Sequence, residues 1–174
     1  MNFKSNIVKI RTIYISDAKK LLKFFHDLVI SDSERVERLK DVKKINLQKE
    51  IYWIKHRKRA EKNKEMFIFC CEVNGRIVAE GEIEREKRWI EKHVAEIRFG
   101  ILPGYEKLAI EMIKQLIKKA KENKIKVLIF FHLATQKTAL SIMGKLGFSR
   151  VGIIKNYYKR DGHYISRVYM VKNF

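Results

Sequence analysis

Four glutamates on two predicted neighbouring strands form the clearest chemical pattern in this sequence. Glu80, Glu82 and Glu84 alternate along one predicted strand, so they share one of its faces. Glu96 shares a face with Arg98 on the next strand, and antiparallel pairing would gather the four carboxylates into one patch. Such a patch attracts a protonated amine, and a carboxylate can take the amine proton directly or through water. The alternative is a solvated strand face with cross-strand pairs to Arg or Lys.

Histidine and tyrosine side chains could add further acid–base groups. His132 ends the apolar run KVLIFFHLA, and an ordinary histidine pKa of about 6.5 suits proton transfer, although a lone histidine is more often structural. Tyr157, Tyr158 and Tyr164 surround the last predicted turn, where a phenol could donate a proton. The other four histidines have no carboxylate or cysteine at metal-ligand spacing, so we predict no metal site. They are His26, His56, His93 and His163.

The two cysteines, Cys70 and Cys71, are adjacent in an apolar stretch. Adjacent side chains of a strand point to opposite faces, so we expect two buried thiols and no disulfide between them. Because the chain has no CxxC pair, we expect no cysteine-based zinc site.

Short apolar runs and turn residues predict the strands that would position these groups. A strand over 7–13 comes first, and Asn74-Gly75 joins two later strands in a hairpin because this pair suits the positive φ angles of a type I′ turn. HVAEIRFGIL is predicted as the next strand and ends before Pro103-Gly104.

The second half of the chain predicts three more strands. KVLIFFHLA is short and continuously apolar, so we expect a central strand that is buried on both faces. FSRVGII and YISRVYMV are predicted as the last two strands, joined by the polar turn KNYYKRDGH.

Apolar residues at helical spacing predict the helices. The first can be capped by Ser16 or Asp17, and the second by Asn46, with a charged connection between them. A third, strongly amphipathic helix follows Pro103-Gly104, and TQKTALSIMGKL is predicted as a short fourth. The expected apolar stripe of the first helix is Ala18, Leu21, Leu22, Phe25, Leu28 and Val29.

The order of elements predicts an α/β fold. A helix between two strands implies a parallel pair with a right-handed crossover, and the hairpins add antiparallel strands. We therefore expect one domain over residues 1–174, with a mixed, mostly antiparallel sheet and helices on both faces.

This order resembles that of the GCN5-related N-acetyltransferase (GNAT) family along nearly the whole chain. The stretch AEIRFGILPGY is similar to the family's fourth strand, and QKTALSIMGKLGFSRVG is similar to its Asn-x-x-Ala…Tyr-x-x-x-Gly-Phe…Gly segment. The opening IVKIRTIYISDAKKLLKFF and the ending GHYISRVYMVK also resemble the family's first and last elements. The residues at matching places are Ala139, Lys145, Gly147, Phe148 and Gly152.

The resemblance implies direct transfer of an acetyl group from acetyl-CoA to a primary amine, which could be a protein N-terminus, a lysine or a small amine. It implies that Glu96 is the general base, and we select Tyr158 as the candidate acid for the leaving thiolate. Glu82, Glu84 and His132 are candidate substrate contacts. The candidate cofactor-binding residues are Phe99, Gly100, Ile101, Tyr105, Lys107, Leu108, Ala109, Gln136 and Met143.

Three residues depart from the family's pattern. The phosphate loop is shortened, and Lys107 stands where a glycine is expected. Met143 replaces a tyrosine that donates a proton in many members, and Gln136 replaces an asparagine. These departures leave a second hypothesis open, which is a catalytically degenerate module that binds acyl-CoA.

Composition bounds the remaining classes. The chain has 174 residues and a net charge of +19, which favours anionic partners such as phosphates, a polyanionic cofactor or a nucleic acid. A solvated thermophile-like surface explains the same charge, and no nucleic-acid motif is present, so nucleic acid is not expected as the main ligand. The sequence shows neither an apolar run long enough for a membrane span nor a signal peptide, and we expect a cytoplasmic protein. A homodimer is one option for its assembly.

Overall fold

Seven strands form one mixed sheet in the computed structural model, which describes residues 7–174. The first six residues, on which the expectation of a leaderless N-terminus partly rests, lie outside the described range. The strands are β1 Val8–Thr12, β2 Met66–Val73, β3 Arg76–Arg85, β4 Val94–Ile101, β5 Val127–Leu133, β6 Ser149–Arg160 and β7 His163–Asn173. The helices are α1 Ala18–Ser31, α2 Leu39–Val42, α3 Leu47–Lys62, α4 Glu106–Glu122 and α5 Lys137–Lys145.

The sheet order is β1-β2-β3-β4-β5-β7-β6, and only β4 and β5 pair in parallel. The helix α4 is the crossover between these two strands, as a parallel pair requires. The expected α/β architecture with a mostly antiparallel sheet is therefore confirmed.

Helices cover both faces of the sheet and divide the core into two clusters. Met112, Ile113 and Leu116 of α4 pack in the larger cluster, and α1 and α3 pack in the smaller one on the opposite face. Cys71 belongs to the first cluster and Cys70 to the second, so the adjacent thiols are buried on opposite faces as predicted. Burial raises the pKa of the Cys70 thiol to about 12, so both its position and its protonation make it unreactive.

The parallel pairing between β4 and β5 is short. It extends only from Val94↔Val127 to Glu96↔Ile129, after which β5 continues to pair with β7 alone. On its other edge β4 stays paired with β3 as far as Ile101. The strands therefore separate toward their C-terminal ends and leave one edge of 97–101 without a strand partner.

Three local expectations are wrong. The strand β5 alternates between buried and half-buried residues, so only one of its faces is buried. The other face is partly open because β4 separates from β5 after Glu96. The turn between β6 and β7 is only Asp161-Gly162, whose φ angles of 47° and 84° allow a tight hairpin, so KNYYKR belongs to β6. The helix α1 buries Phe24 where Leu22 and Phe25 were expected.

The N-terminal turn before α1 depends on a buried ion-pair network and not on the expected N-cap. Ile15–Asp17 form a 3₁₀ turn, and the Asp17 carboxylate accepts the Tyr14 N–H at 2.8 Å. The guanidinium of Arg11 donates to both Asp17 oxygens at 2.7 and 2.9 Å and to Glu72 Oε2 at 2.6 Å. These bonds connect β1, β2 and α1, because Lys20 of α1 also donates to Glu72 at 2.7 Å.

We expect D17N to lower the free energy of unfolding by about 2–4 kcal/mol at pH 7, since it leaves the Arg11 charge without its bidentate partner. Burial raises the pKa of Asp17, but the hydrogen bonds from Arg11 and Tyr14 outweigh it and hold that pKa below 3.8. The stabilising contribution is therefore present at neutral pH and is lost as pH falls through the lowered pKa. Urea unfolding from pH 7 to pH 3 measures this loss.

The matched control is D27N, because Asp27 forms more exposed pairs with Lys23 and Arg76 at 3.2 and 3.0 Å. We expect this change to cost less than about 1 kcal/mol. Equal losses in the two variants would contradict the assignment of the Asp17 network as the main electrostatic contact of this region.

Candidate functional site

Two cavities meet where β4 separates from β5. The first, which we call the amide cleft, has a volume of about 380 Å³ and lies between the C-terminal part of β4, the start of α5 and the end of α1. The second, which we call the carboxyl pocket, has a volume of about 590 Å³ and lies between α1, α3 and the faces of β3 and β4. Leu28, Arg35, Phe99 and Gly100 line both cavities, so the two are joined at this point.

A glycine lies at the junction of the two cavities. A Cβ atom on residue 100 would lie 2.5 Å from Leu28 Cδ2, so a side chain there would require the Leu28 side chain to shift. The neighbouring ring of Phe99 stacks on Phe130 of β5 with 5.6 Å between the ring centroids, and it fills part of the gap between the separated strands.

Five of the predicted site residues line the amide cleft: Phe99, Gly100, Ile101, His132 and Gln136. The unpaired edge of 97–101 offers backbone N–H and C=O groups to an extended ligand, as an added strand would use them. Gln136 Nε2 donates to Asp32 Oδ2 at 2.7 Å, while Gln136 Oε1 is buried without a partner among the described residues. The cleft thus combines unpaired backbone groups with a side-chain acceptor that lacks a donor.

The remaining predicted cofactor residues lie outside the wall of the amide cleft. Ala109 and Met143 are completely buried in the larger core cluster, and Tyr105 and Leu108 pack against it. Lys107 is exposed in the first turn of α4. There the Glu106 carboxylate already accepts the Gly104 N–H at 3.1 Å, so one loop amide has an internal partner.

The predicted carboxylate patch exists, and arginines neutralise most of it. Arg98 Nε lies 2.8 Å from Glu82 Oε1, its Nη1 lies 3.2 Å from Glu96 Oε1, and its Nη2 bonds Glu84. Arg57 adds a second contact to Glu82 at 3.0 Å. Glu82 and Glu84 therefore form the cross-strand pairs of the alternative interpretation, and Glu96 pairs with Arg98 on its own strand.

The structure does not bring Glu96 to the junction. Glu96 lies four residues before Gly100, about 13 Å along the strand, and it lines a separate cavity together with Glu84. Burial raises its pKa, which is a general-base property, but Glu96 lines neither the amide cleft nor the carboxyl pocket and contacts the latter only through Arg98. Strand alternation identifies the face of Glu96 and carries no information on its distance from the strand end.

Glu80 is the carboxyl group closest in register to the junction. It pairs with Gly100 across β3 and β4, and it lines the carboxyl pocket. Its Oε1 is buried and has no hydrogen-bond partner among residues 7–174. Burial and then the charge of Glu82 raise the pKa of Glu80 well above 4.5.

A second carboxyl group, Glu50, enters the carboxyl pocket from α3. Its residue is 8% exposed, and within the described part of the chain its carboxyl group forms no hydrogen bond or ion pair. Burial alone raises the pKa of Glu50 to about 7. Sequence reasoning missed this residue, yet a signal exists, because Glu50 lies three residues after Leu47 and four before Ile54 on the apolar side of the helix.

His132 and Tyr158 line a third cavity of about 380 Å³ beside Phe99. Burial and then the nearby Arg35 charge lower the pKa of His132 to about 4, and its Nδ1 accepts the Leu133 N–H at 3.1 Å, so the ring is neutral at pH 7. Burial raises the pKa of Tyr158, which keeps the phenol protonated. His132 is thus a poor base here, whereas Tyr158 can act as a proton donor.

Residues 7–174 lack two other features that would indicate a function. Residues 7–174 contain no group of three or more His, Cys, Asp or Glu side chains arranged to hold a metal ion. In the same range, no helix has both the length and the apolar character needed to cross a membrane.

A family model described as an acetyltransferase (GNAT) domain matches residues 10–169 of the chain. No curated protein matches the sequence. Solved structures do match, among them a ribosomal-protein-alanine N-acetyltransferase from Brucella melitensis, with 20% identity, 95% of this chain and 99% of that chain covered, and a TM-score of 0.79.

Two further matches have the same fold. An acetyltransferase of the GNAT family from Streptococcus pneumoniae is 17% identical, with 97% and 100% of the two chains covered and a TM-score of 0.84. A GNAT superfamily phosphinothricin acetyltransferase from Sinorhizobium meliloti, in complex with acetyl-CoA, is 10% identical, with 95% and 88% covered and a TM-score of 0.80.

We expect E50Q to stabilise the protein at pH 8, by at most about 3 kcal/mol. The folded chain holds a proton on Glu50 up to about pH 7, whereas an ordinary glutamate loses it near 4.5, so ionisation of this group opposes folding as pH rises between these values. The difference between E50Q and the parent chain should therefore shrink as pH falls from 7 to 4.5. Urea unfolding at pH 8 and pH 5 measures it.

The control is E111Q, which removes a carboxylate from an exposed pair with Lys114. Like E50Q, it replaces one glutamate with a neutral glutamine. Stability should then change by less than about 0.5 kcal/mol at either pH. A loss of stability in E50Q at pH 8 would show that Glu50 is stabilised by a partner and contradict its unpaired state.

Proposed function

We propose that this chain, which belongs to the GNAT acetyltransferase family, is an acetyl-CoA-dependent N-acetyltransferase that acts on a primary amine by direct transfer. The observation that supports this most directly is the junction at Phe99 and Gly100. There, unpaired backbone groups of the amide cleft meet a pocket that contains carboxyl groups without partners.

The amide cleft suits the amide-rich arm of acetyl-CoA. The free edge of 97–101 can donate to and accept from an extended arm, and Gln136 Oε1 lacks a donor that such an arm carries. The first turns of α4 and α5 offer N–H groups without intrahelical acceptors, which favour phosphate oxygens. Lys107 would add charge near that position.

Acetyl-CoA, when bound, would supply the acetyl group as a thioester. In the transfer the C–S bond breaks, the amide C–N bond forms, the amine loses one proton and the thiolate gains one. The backbone N–H groups of 97–101 would hold the thioester carbonyl and stabilise charge that develops on its oxygen.

We assign Glu80, in place of the expected Glu96, as the base that accepts the proton from the amine. Glu80 faces the residue at which the two cavities join, whereas Glu96 lines another cavity. Burial and then the charge of Glu82 raise the pKa of Glu80 above that of an ordinary glutamate, which makes its carboxylate a stronger base. We assign Tyr158 as the acid that donates a proton to the leaving thiolate. It lies with Phe99 on the wall of the third cavity.

The test of Glu80 compares E80Q with E96Q, since both glutamates lie on neighbouring strands and both have raised pKa values. We expect E80Q to lower kcat/KM by about 100-fold at pH 7 with acetyl-CoA affinity unchanged, because a base acts on the amine. The loss should diminish at high pH, where free amine forms without help. Thiol release and calorimetry with acetyl-CoA give the two readouts.

The variant E96Q should stay within about threefold of the parent chain. If E96Q loses activity and E80Q does not, Glu96 is the base and our assignment is wrong. If the parent chain binds acetyl-CoA but acetylates no amine in a broad panel, the non-catalytic acyl-CoA-binding hypothesis replaces the enzyme.

The variant Y158F should lower kcat about tenfold and leave the KM for both substrates within twofold, because the lost hydroxyl acts on the leaving thiolate. Y164F is the control, since Tyr164 is 58% exposed near the hairpin turn and should not affect kcat. Unchanged kcat in Y158F would contradict the assignment of Tyr158 as the acid.

A further inference from the structure

Four basic and four acidic side chains line the carboxyl pocket, but two of the four carboxyl groups have no hydrogen-bond partner among residues 7–174. Its arginines are already paired: Arg57 and Arg98 share Glu82 at 3.0 and 2.8 Å, and Arg35 bonds Glu37 at 3.0 Å. The positive groups of the pocket therefore have internal partners. They are not available for an anionic ligand without loss of these pairs.

The negative groups that lack partners are Glu50 and Glu80. Glu50 is more than nine-tenths buried, and no side chain or backbone group in residues 7–174 bonds its carboxyl group. The Oε1 atom of Glu80 is buried and also has no hydrogen-bond partner among these residues. The one further cation on the wall is Lys49, which is exposed and donates to the Lys44 carbonyl at 3.2 Å.

Glu80 Oε1 is a buried acceptor without a hydrogen bond, which is unfavourable, and the Glu50 carboxyl group lies in the same pocket without a partner. A cationic ligand would supply both carboxyl groups with a partner. Glu80 lies opposite Gly100 at the junction with the amide cleft, whereas Glu50 lines the carboxyl pocket and not the amide cleft. In the proposed transfer Glu80 accepts the proton of the reacting amine, whereas Glu50 has no function.

Much of the wall of the carboxyl pocket is apolar and aromatic. Trp53 and Tyr52 of α3 lie on one wall, Phe24 and Phe25 of α1 on another, and Phe99 at the junction. Aromatic faces bind ammonium groups and also contact methylene chains. With a volume of about 590 Å³, the pocket exceeds what the amino group alone would fill.

On the basis of the proposed function, we propose that the acceptor is an aliphatic diamine or polyamine. One terminal amine lies at Glu80 and is acetylated, the methylene chain lies along the aromatic walls, and a second ammonium group pairs with Glu50. An acceptor with a carboxylate or phosphate beside its amine would instead place a further anion against these two groups, which disfavours it.

The test uses two amines of equal length, 1,6-diaminohexane and heptylamine, which differ by an ammonium group in place of a methyl group. For the parent chain we expect a KM for the diamine at least tenfold below that for heptylamine. E50Q should raise the diamine KM about tenfold and leave the heptylamine KM and both kcat values within twofold. E111Q, remote from the pocket, should change none of them.

Calorimetric binding of the diamine to the parent chain and to E50Q adds a readout that does not need turnover. Tight binding that E50Q weakens, without acetylation of any amine, would support the Glu50 contact and overturn the proposed function alone. Equal KM values for the two amines, equal effects of E50Q on both, or a clear preference for a peptide N-terminus would overturn the diamine assignment while the acetyltransferase function stands. Urea unfolding of E50Q separates each of these outcomes from a folding defect.

Discussion

The contact between Gly100 and Leu28 fixes the geometry of the whole site. Because residue 100 has no side chain, α1 can pack directly on β4, and the Leu28 side chain occupies the space of a Cβ atom. This approach brings the end of α1 to the amide cleft and its aromatic face to the carboxyl pocket. It also leaves Glu80 opposite a residue that cannot offer a partner. One packing constraint thus produces both the junction and an unpaired carboxyl group beside it.

The separation of β4 and β5 supplies the second half of the site. A parallel pair that continued past Glu96 and Ile129 would use the backbone groups of 97–101 internally and close the amide cleft. Antiparallel pairing with β7 lets β5 remain in the sheet without β4. The rings of Phe99 and Phe130 stack across the gap, so the opening has a packed floor. The sheet therefore keeps its stability while it exposes one strand edge.

The sequence predicts those features that depend on neighbouring residues. The Asn74-Gly75 turn has the expected positive φ angles of 49° and 83°, and Asn46 caps α3 through the Lys49 N–H at 3.0 Å. The shared face of the strand glutamates was likewise predictable. Glu50 was not predicted, because it enters the pocket through the packing of α3. For Glu96, strand alternation predicts a face of the strand but not the position along it. The periodicity of a strand or helix predicts the face on which a side chain lies, whereas its distance from the site depends on tertiary packing.

Glu80 and Glu82 show how strand register determines which carboxyl groups have a partner. They lie two residues apart on the same face of β3, yet Glu82 bonds two arginines and Glu80 Oε1 bonds none of the described groups. The register partner of Glu82 is Arg98, whose guanidinium reaches Glu82, Glu84 and Glu96, while the partner of Glu80 is a glycine. In a chain with a net charge of +19, cations are abundant, so an unpaired carboxyl group is not explained by their scarcity. The residue opposite Glu80 is Gly100, which has no side chain to pair with it, and the adjoining pocket is open to a cation from solution.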